Sequence, residues 1–172
     1  NDQTFTPRLN VHWLASPLLT IKGATGTNSQ QPSPNVLGSP PFGNNALTAQ
    51  RSWESALGFE YKLTDFLDID MQGFHKRLWD IPTATAGLFP AVPYLNTGTG
   101  TITGLEVLLR HKLANNFFGW ISYTLQHARR VDRPGAKEKP FAFDQTHIFT
   151  ILGSYKLPYN MEFGMRWRYV TG

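Results

Sequence analysis

The sequence has no cysteine, which excludes a disulfide scaffold and a thiolate metal site and leaves the compartment open. It has no run of about 18 apolar residues, so no helix of this chain can cross a bilayer. There is no charged-then-apolar amino-terminal stretch of the kind that directs export. Nor is there a segment rich in Ala, Glu, Lys and Leu that would favour helix. The 172 residues instead carry 13% aromatics, 15 glycines and 12 prolines, the composition of many strands and turns. A membrane protein so composed has to be a barrel, because only helices and closed barrels satisfy every backbone group in lipid. On that reading the export signal is expected upstream of Asn1.

The stretch from Arg51 to Trp79 shows the pattern most clearly. Trp53, Ser55, Leu57, Phe59, Tyr61 and Leu63 fall on one parity, and Glu54, Ala56, Gly58, Glu60 and Lys62 on the other. Thr64-Asp65 is a polar break, after which Leu67, Ile69 and Met71 alternate against Asp68, Asp70 and Gln72. Phe74 is out of phase with Met71, which a bulge or the end of the membrane-embedded part would explain. Soluble strands average about five or six residues, whereas a tilted strand crossing a bilayer needs about nine to eleven. The length of this hairpin points to a membrane.

The same logic repeats along the chain. Arg8 to Ser16 alternates Leu9, Val11, Trp13 and Ala15, breaks at Ser16-Pro17 and resumes with Leu19, Ile21 and Gly23. Residues 101–113 place Leu105, Val107, Leu109, His111 and Leu113 opposite Glu106, Leu108, Arg110 and Lys112. After the turn at 114–116 come Phe117, Ile121, Tyr123 and Leu125; then Phe149, Ile151, Gly153, Tyr155 and Leu157. A turn at 158–160 leads to Met161, Phe163, Met165, Trp167 and Tyr169, which alternate with Glu162, Gly164, Arg166 and Arg168. The expected fold is an all-β, antiparallel transmembrane β-barrel wall of about eight strands.

Connections alternate between short (16–17, 64–66, 114–116, 158–160) and long (26–49, 80–99, 131–142). Transmembrane barrels sort their connections this way, with short periplasmic turns and long extracellular loops. Among the residues assigned to the apolar parity only His111 can carry a charge. The opposite parity supplies lumen-facing candidates of both signs: Glu54, Glu60, Lys62, Asp68, Asp70, Glu106, Arg110, Glu162, Arg166 and Arg168. The third long loop adds the extracellular candidates Arg130, Arg133, Lys137 and Lys139.

No catalytic or metal-binding constellation emerges. The histidines His12, His75, His111, His127 and His147 form no i, i+2 or i, i+4 pair, so no protein-ligated metal or cofactor is expected. Asp144, His147 and Ser154 are the residue types of a hydrolase triad, but the parity of His147 and Ser154 puts them on opposite faces of one strand. Asp144 is instead expected to cap the start of that strand. The Arg129, Arg130, Arg133, Lys137 and Lys139 cluster, with a net charge of +4, raises nucleic acid as a partner. Without interleaved stacking aromatics, a solvated loop or contact with anionic outer-membrane lipid fits better, and no nucleic-acid partner is expected.

The segments containing Gly104-Leu105-Glu106, Ser122-Tyr123-Thr124 and Phe143-Asp144-Gln145-Thr146-His147, in that order, resemble successive parts of the barrel of TonB-dependent outer-membrane receptors. The resemblance covers nearly the whole chain from Pro7 onward. It implies an internal piece of a barrel with roughly 22 strands and a plugged lumen. The plug domain, and with it the TonB box that contacts the TonB complex, is expected to lie outside residues 1–172. The implied location is the outer membrane of a Gram-negative bacterium, and the implied activity is non-enzymatic uptake of a scarce small-molecule nutrient such as an iron chelate, cofactor or glycan. A self-contained eight-stranded barrel with a structural or adhesive role is the alternative, and a soluble β-sandwich binding module a third.

Overall fold

The computed structural model describes residues 5–39, 42–85, 92–142 and 144–172. Its strands are β1 (Arg8–Leu14), β2 (Leu19–Gln30), β3 (Gln50–Lys62), β4 (Leu67–Ala84), β5 (Tyr94–Ala114), β6 (Phe117–Val131), β7 (Lys139–Pro140), β8 (His147–Lys156) and β9 (Glu162–Thr171). One short 3-10 turn, Pro34–Val36, is the helical element among the described residues. The sheet is antiparallel throughout and runs in chain order from β1 to β9, with β7 attached to β6 alone. It does not close, so β1 and β9 are its edges.

Each short connection is formed by residues suited to it. In Ser16-Pro17-Leu18 the Ser16 hydroxyl accepts from the Leu18 and Leu19 backbone N–H groups at 3.2 and 3.1 Å. Thr64 repeats the device, its hydroxyl accepting from Phe66 and Leu67 at 3.3 and 3.0 Å. Asn115 and Asn116 have φ of 49° and 63°. They form the two-residue turn whose twist matches the strands, and Asn is among the few residues that accept a positive φ there. Tyr159 and Asn160, at 63° and 57°, close the last hairpin.

Register fixes two faces. Leu57, Gly73, Leu105, Leu125 and His147 lie opposite one another across β3, β4, β5, β6 and β8. The next row toward the turns is Phe59, Met71, Val107, Tyr123, Phe149 and Tyr169. One row further is Tyr61, Ile69, Leu109, Ile121, Ile151 and Trp167. The face expected from parity is therefore continuous across the sheet. Its loop-side border slants, from the level of Leu9 on β1 to the level of Tyr169 on β9, two rows nearer the turns. A belt slanted against the ladder rows is what tilted strands produce.

This face is bare. Trp53 is 42% exposed, Leu57 68%, Met165 58% and Trp167 50%. Buried apolar side chains among the described residues are only Pro32, Leu47, Ala49, Ile81 and Ala128. A sheet that leaves its large apolar residues outside has no ordinary core, and a contiguous apolar surface of this extent needs a non-aqueous partner.

Several boundaries depart from expectation. The segments 26–49 and 80–99, expected as loops, are entered by strand: β2 continues to Gln30, β4 to Ala84, and β5 already starts at Tyr94. With 18 and 21 residues, β4 and β5 are longer than the nine to eleven or so that a bilayer crossing requires. Pairing there is irregular between Leu78 and Thr83, where Asp80 has φ 57° and Pro82 lacks an N–H. Residues 40–41, 86–91 and Phe143 of the expected loops and motifs lie outside the described residues. Phe74 sits in unbroken register opposite Ala56 and Gly104, so no bulge explains its phase. Its ring occupies the space that a side chain on Gly104 would need.

The glycines separate by the room they have. A Cβ on Gly58 would fall onto the Met71 carbonyl and the Gln72 backbone, whereas the nearest atom to one on Gly73 is 3.9 Å away. Gly58→Ala is expected to lower unfolding stability by about 1 to 3 kcal/mol, and Gly73→Ala to change it by less than about 0.5 kcal/mol. Denaturant titration of the detergent-solubilised protein, read by heat-modifiable gel mobility, checks both.

Candidate functional site

The polar face carries all the residues expected to point inward, because register places Glu54, Glu60, Asp68, Asp70, Glu106 and Arg110 on one side of β3, β4 and β5. Glu162, Arg166 and Arg168 share that side on β9. Cross-strand pairing satisfies several of them. Lys76 lies directly opposite Glu54 and approaches it to 3.6 Å, and Lys22 pairs with Asp70. Gln72 donates to Glu106 at 3.3 Å. Asp68 is the most enclosed acid, 2% exposed, and Lys112 holds both its oxygens at 3.0 and 2.9 Å. Burying a carboxylate this deeply without that ammonium would be strongly unfavourable.

Other expected members are not drawn together. The Arg110 Nε has no hydrogen-bond partner among the described residues, and Glu60 and Lys62 make no ion pair there. Arg166 and Arg168 lie on the β9 edge opposite Leu152 and Thr150, while Glu162 accepts from Ser154. The face thus mixes both signs on β3 to β5, while β9 presents Arg166 and Arg168 at the edge. The partners Lys22 and Lys76 were not among the residues singled out by parity. Continuing the alternation Asp68, Asp70, Gln72 past Phe74 reaches Lys76 directly.

The triad types stay apart. His147 is on the apolar face, its Nδ1 2.9 Å from the Tyr123 hydroxyl, and Ser154 is on the polar face. Asp144 accepts from the Ala128 backbone N–H at 3.3 Å, extending the ladder just before β8 starts.

At the loop end the chain builds a small roof. Asn44 donates to the Tyr94 carbonyl at 2.8 Å, Thr48 N–H to Asn96 Oδ1 at 2.9 Å, and Asn96 Nδ2 to the Thr48 and Asp80 carbonyls at 3.0 and 2.7 Å. These bonds tie the first long loop to the extended β4–β5 pair, with Leu47, Ala49 and Ile81 buried beside them.

The third loop is clamped as well, which corrects the expectation that 131–142 is wholly loop. Lys139 and Pro140 pair with Arg130 and Arg129 as β7. Arg130 and Lys139, expected as loop residues, are strand residues that converge on Asp132. Arg130 Nε is 2.8 Å from Asp132 Oδ1 at an angle too poor for a hydrogen bond, while the Lys139 ammonium donates to the other oxygen. The Arg130 guanidinium also lies 5.5 Å over the Phe141 ring. The Asp132 carbonyl accepts from Thr83 and Thr97, both at 2.9 Å. Arg133 and Lys137 stand exposed at the tip, where Gly135 turns with φ 76°.

An open antiparallel sheet with one bare apolar face, one ion-paired face, short turns at one end and a tied loop layer at the other defines part of an outer-membrane-type barrel wall. Residues 1–172 match the family model described as TonB dependent receptor-like, beta-barrel, and the chain belongs to that family. Among solved structures it is similar to the FrpB iron transporter from Neisseria meningitidis (F3-3 variant), with 17% identity and a TM-score of 0.71. It is also similar to the ferric-catecholate import receptor Fiu from K12 E. coli, with 15% identity and a TM-score of 0.72. The matches cover 96% and 95% of this chain but 26% and 24% of those chains, so the chain spans about a quarter of their length. No curated protein matches the sequence.

The Asp132 carboxyl is held below its ordinary 3.8, by the hydrogen bond from Lys139 first and then by the Arg130 and Lys139 charges, against the opposing effect of partial burial. A lowered carboxyl contributes stability in full above its unfolded value, and that contribution is lost as pH falls through the folded one. Trypsin cleavage after Lys137, the exposed basic residue of the tip that no proline follows, is therefore expected to be slow at neutral pH and several-fold faster in Asp132→Asn. Equal rates would show that the carboxylate holds nothing. Below the ordinary carboxyl range the wild-type loop should loosen too, read by an acid-tolerant protease.

Proposed function

We propose that this chain forms part of the wall of an outer-membrane receptor that takes up a scarce nutrient, with energy delivered from the inner membrane through the TonB complex. Family membership over the whole chain, joined to the two-faced sheet, is the observation that supports this reading. The apolar face would meet outer-membrane lipid and the paired polar face the barrel lumen, where a plug domain would make the contact with TonB. On this reading the long loops are extracellular, and ligand selectivity lies in them and in the polar-face residues just beneath. Among an iron chelate, a cofactor and a glycan, the iron chelate is favoured, because FrpB is described as an iron transporter and Fiu as a ferric-catecholate import receptor.

The loops also suit a binding role because surface loops tolerate changes in length at small entropic cost, about 0.6 kcal/mol per doubling. The tip 133–138 is the part of the third loop that can be removed without touching Asp132 or β7. Its excision is expected to leave heat-modifiable folding intact and to reduce uptake of a radiolabelled ferric chelate by iron-starved cells. Intact folding with unchanged uptake of that chelate would remove the loop from the binding surface.

A further inference from the structure

The apolar face changes character sharply at its loop end. One row beyond Leu57, Gly73, Leu105 and Leu125, the same face carries Ser55, His75, Thr103 and His127; one row beyond that, Trp53, Arg77, Thr101 and Arg129. Sequence parity had placed only His111 among the chargeable residues of this face, yet β4 and β6 each present a histidine followed by an arginine. The two arginines flank Thr101 on β5, about 10 Å apart across two strand spacings. His75 Nδ1 lies 2.9 Å from the Thr103 hydroxyl. His75, Arg77, His127 and Arg129 are all exposed, and neither arginine makes an ion pair with a described residue. Together with Thr99, Thr101 and the single acid Glu138, three of them line a hollow of about 350 Å³.

Directly below, along the same strand, lies an apolar groove of about 560 Å³ lined by Ile21, Leu57, Phe59, Met71, Gly73 and Leu105. Gly73 makes its floor, with no neighbouring atom closer than 3.9 Å to where a side chain would begin. Gly73 is two residues from His75 and four from Arg77, about 7 and 14 Å along the strand. A cationic hollow and an apolar groove are thus joined end to end on one exposed face.

We propose that this pair of features is a binding site for a phosphate-bearing, acylated lipid of the leaflet on the loop side. Its phosphate would sit between Arg77 and Arg129, with the Thr101 and Thr103 hydroxyls as donors, and an acyl chain would lie over Gly73. Arginine on a lipid-facing strand is costly in hydrocarbon, whereas at the headgroup level a phosphate satisfies its planar fork. A groove of apolar side chains alone would not discriminate among lipids. The arginine pair supplies that selection.

The test uses the intact protein in mild detergent and native mass spectrometry. The probes are a phosphorylated, acylated glucosamine disaccharide, the same lipid with its phosphates removed, and inorganic phosphate as competitor. The wild type is expected to prefer the phosphorylated lipid by about 30-fold, the contribution of two surface arginines toward anionic lipid. Arg77→Ala with Arg129→Ala should erase the preference, and the corresponding lysine pair should restore part of it. Gly73→Leu should weaken both lipids while leaving their ratio unchanged. Heat-modifiable mobility verifies that each variant is folded. Equal binding of both lipids by the wild type, or an undiminished preference in the alanine pair, overturns the proposal. So does full displacement by inorganic phosphate combined with no effect of Gly73→Leu, which would reveal a free-anion site.

Discussion

Everything in this sheet depends on the cross-strand backbone ladder, because hydrocarbon offers no substitute for an unmade hydrogen bond. From β1 to β9 the register is continuous through the belt, and its shifts on β4 and β5 fall outside it, near Asp80 and at the Ala114 turn. Once the ladder is fixed, the period of two dictates the rest: each strand must send alternate side chains to two different environments. The apolar rows and the ion-paired rows are two consequences of one register.

The polar face shows what that constraint costs. Strands that send Glu54, Asp68, Asp70 and Glu106 to one face accumulate charge, and the sheet offsets it with lysines that reach diagonally, as Lys22 does to Asp70 and Lys112 to Asp68, or directly across, as Lys76 does to Glu54. Gly58 keeps β3 clear beside the Lys22 path, since it is the residue opposite both Lys22 and Gln72. Arg166 and Arg168 on the β9 edge make no ion pair among the described residues, and an adjoining strand or an enclosed domain would meet them first.

Much of this was legible in the sequence. Leu57, Phe59, Leu105, Val107 and Ile151 share a face because alternation is a local property, and the breaks at Ser16, Thr64, Asn115 and Tyr159 were readable from turn chemistry alone. The extensions of β4 and β5 were not, because Pro82, Thr83, Ala84 and the Asn96 to Gly100 run have the composition of a loop. Past the end of the apolar face a strand has no apolar surroundings to match and so loses its alternating signature. The Asp132 clamp and β7 were hidden for another reason: they arise when residues on separate segments meet, which no periodicity records.

The central claim is that alternate residues of one strand face lipid and water. The absence of cysteine makes it directly testable by placing single cysteines along β5 from Leu105 to Arg110 in the membrane-embedded protein. Each is spin-labelled, and its collision rates with oxygen, which partitions into hydrocarbon, and with a water-soluble nickel chelate are compared. The account predicts oxygen maxima at Leu105, Val107 and Leu109 and chelate maxima at Glu106, Leu108 and Arg110, with a period of two. Uniform accessibility along the strand, or the opposite phase, would contradict it.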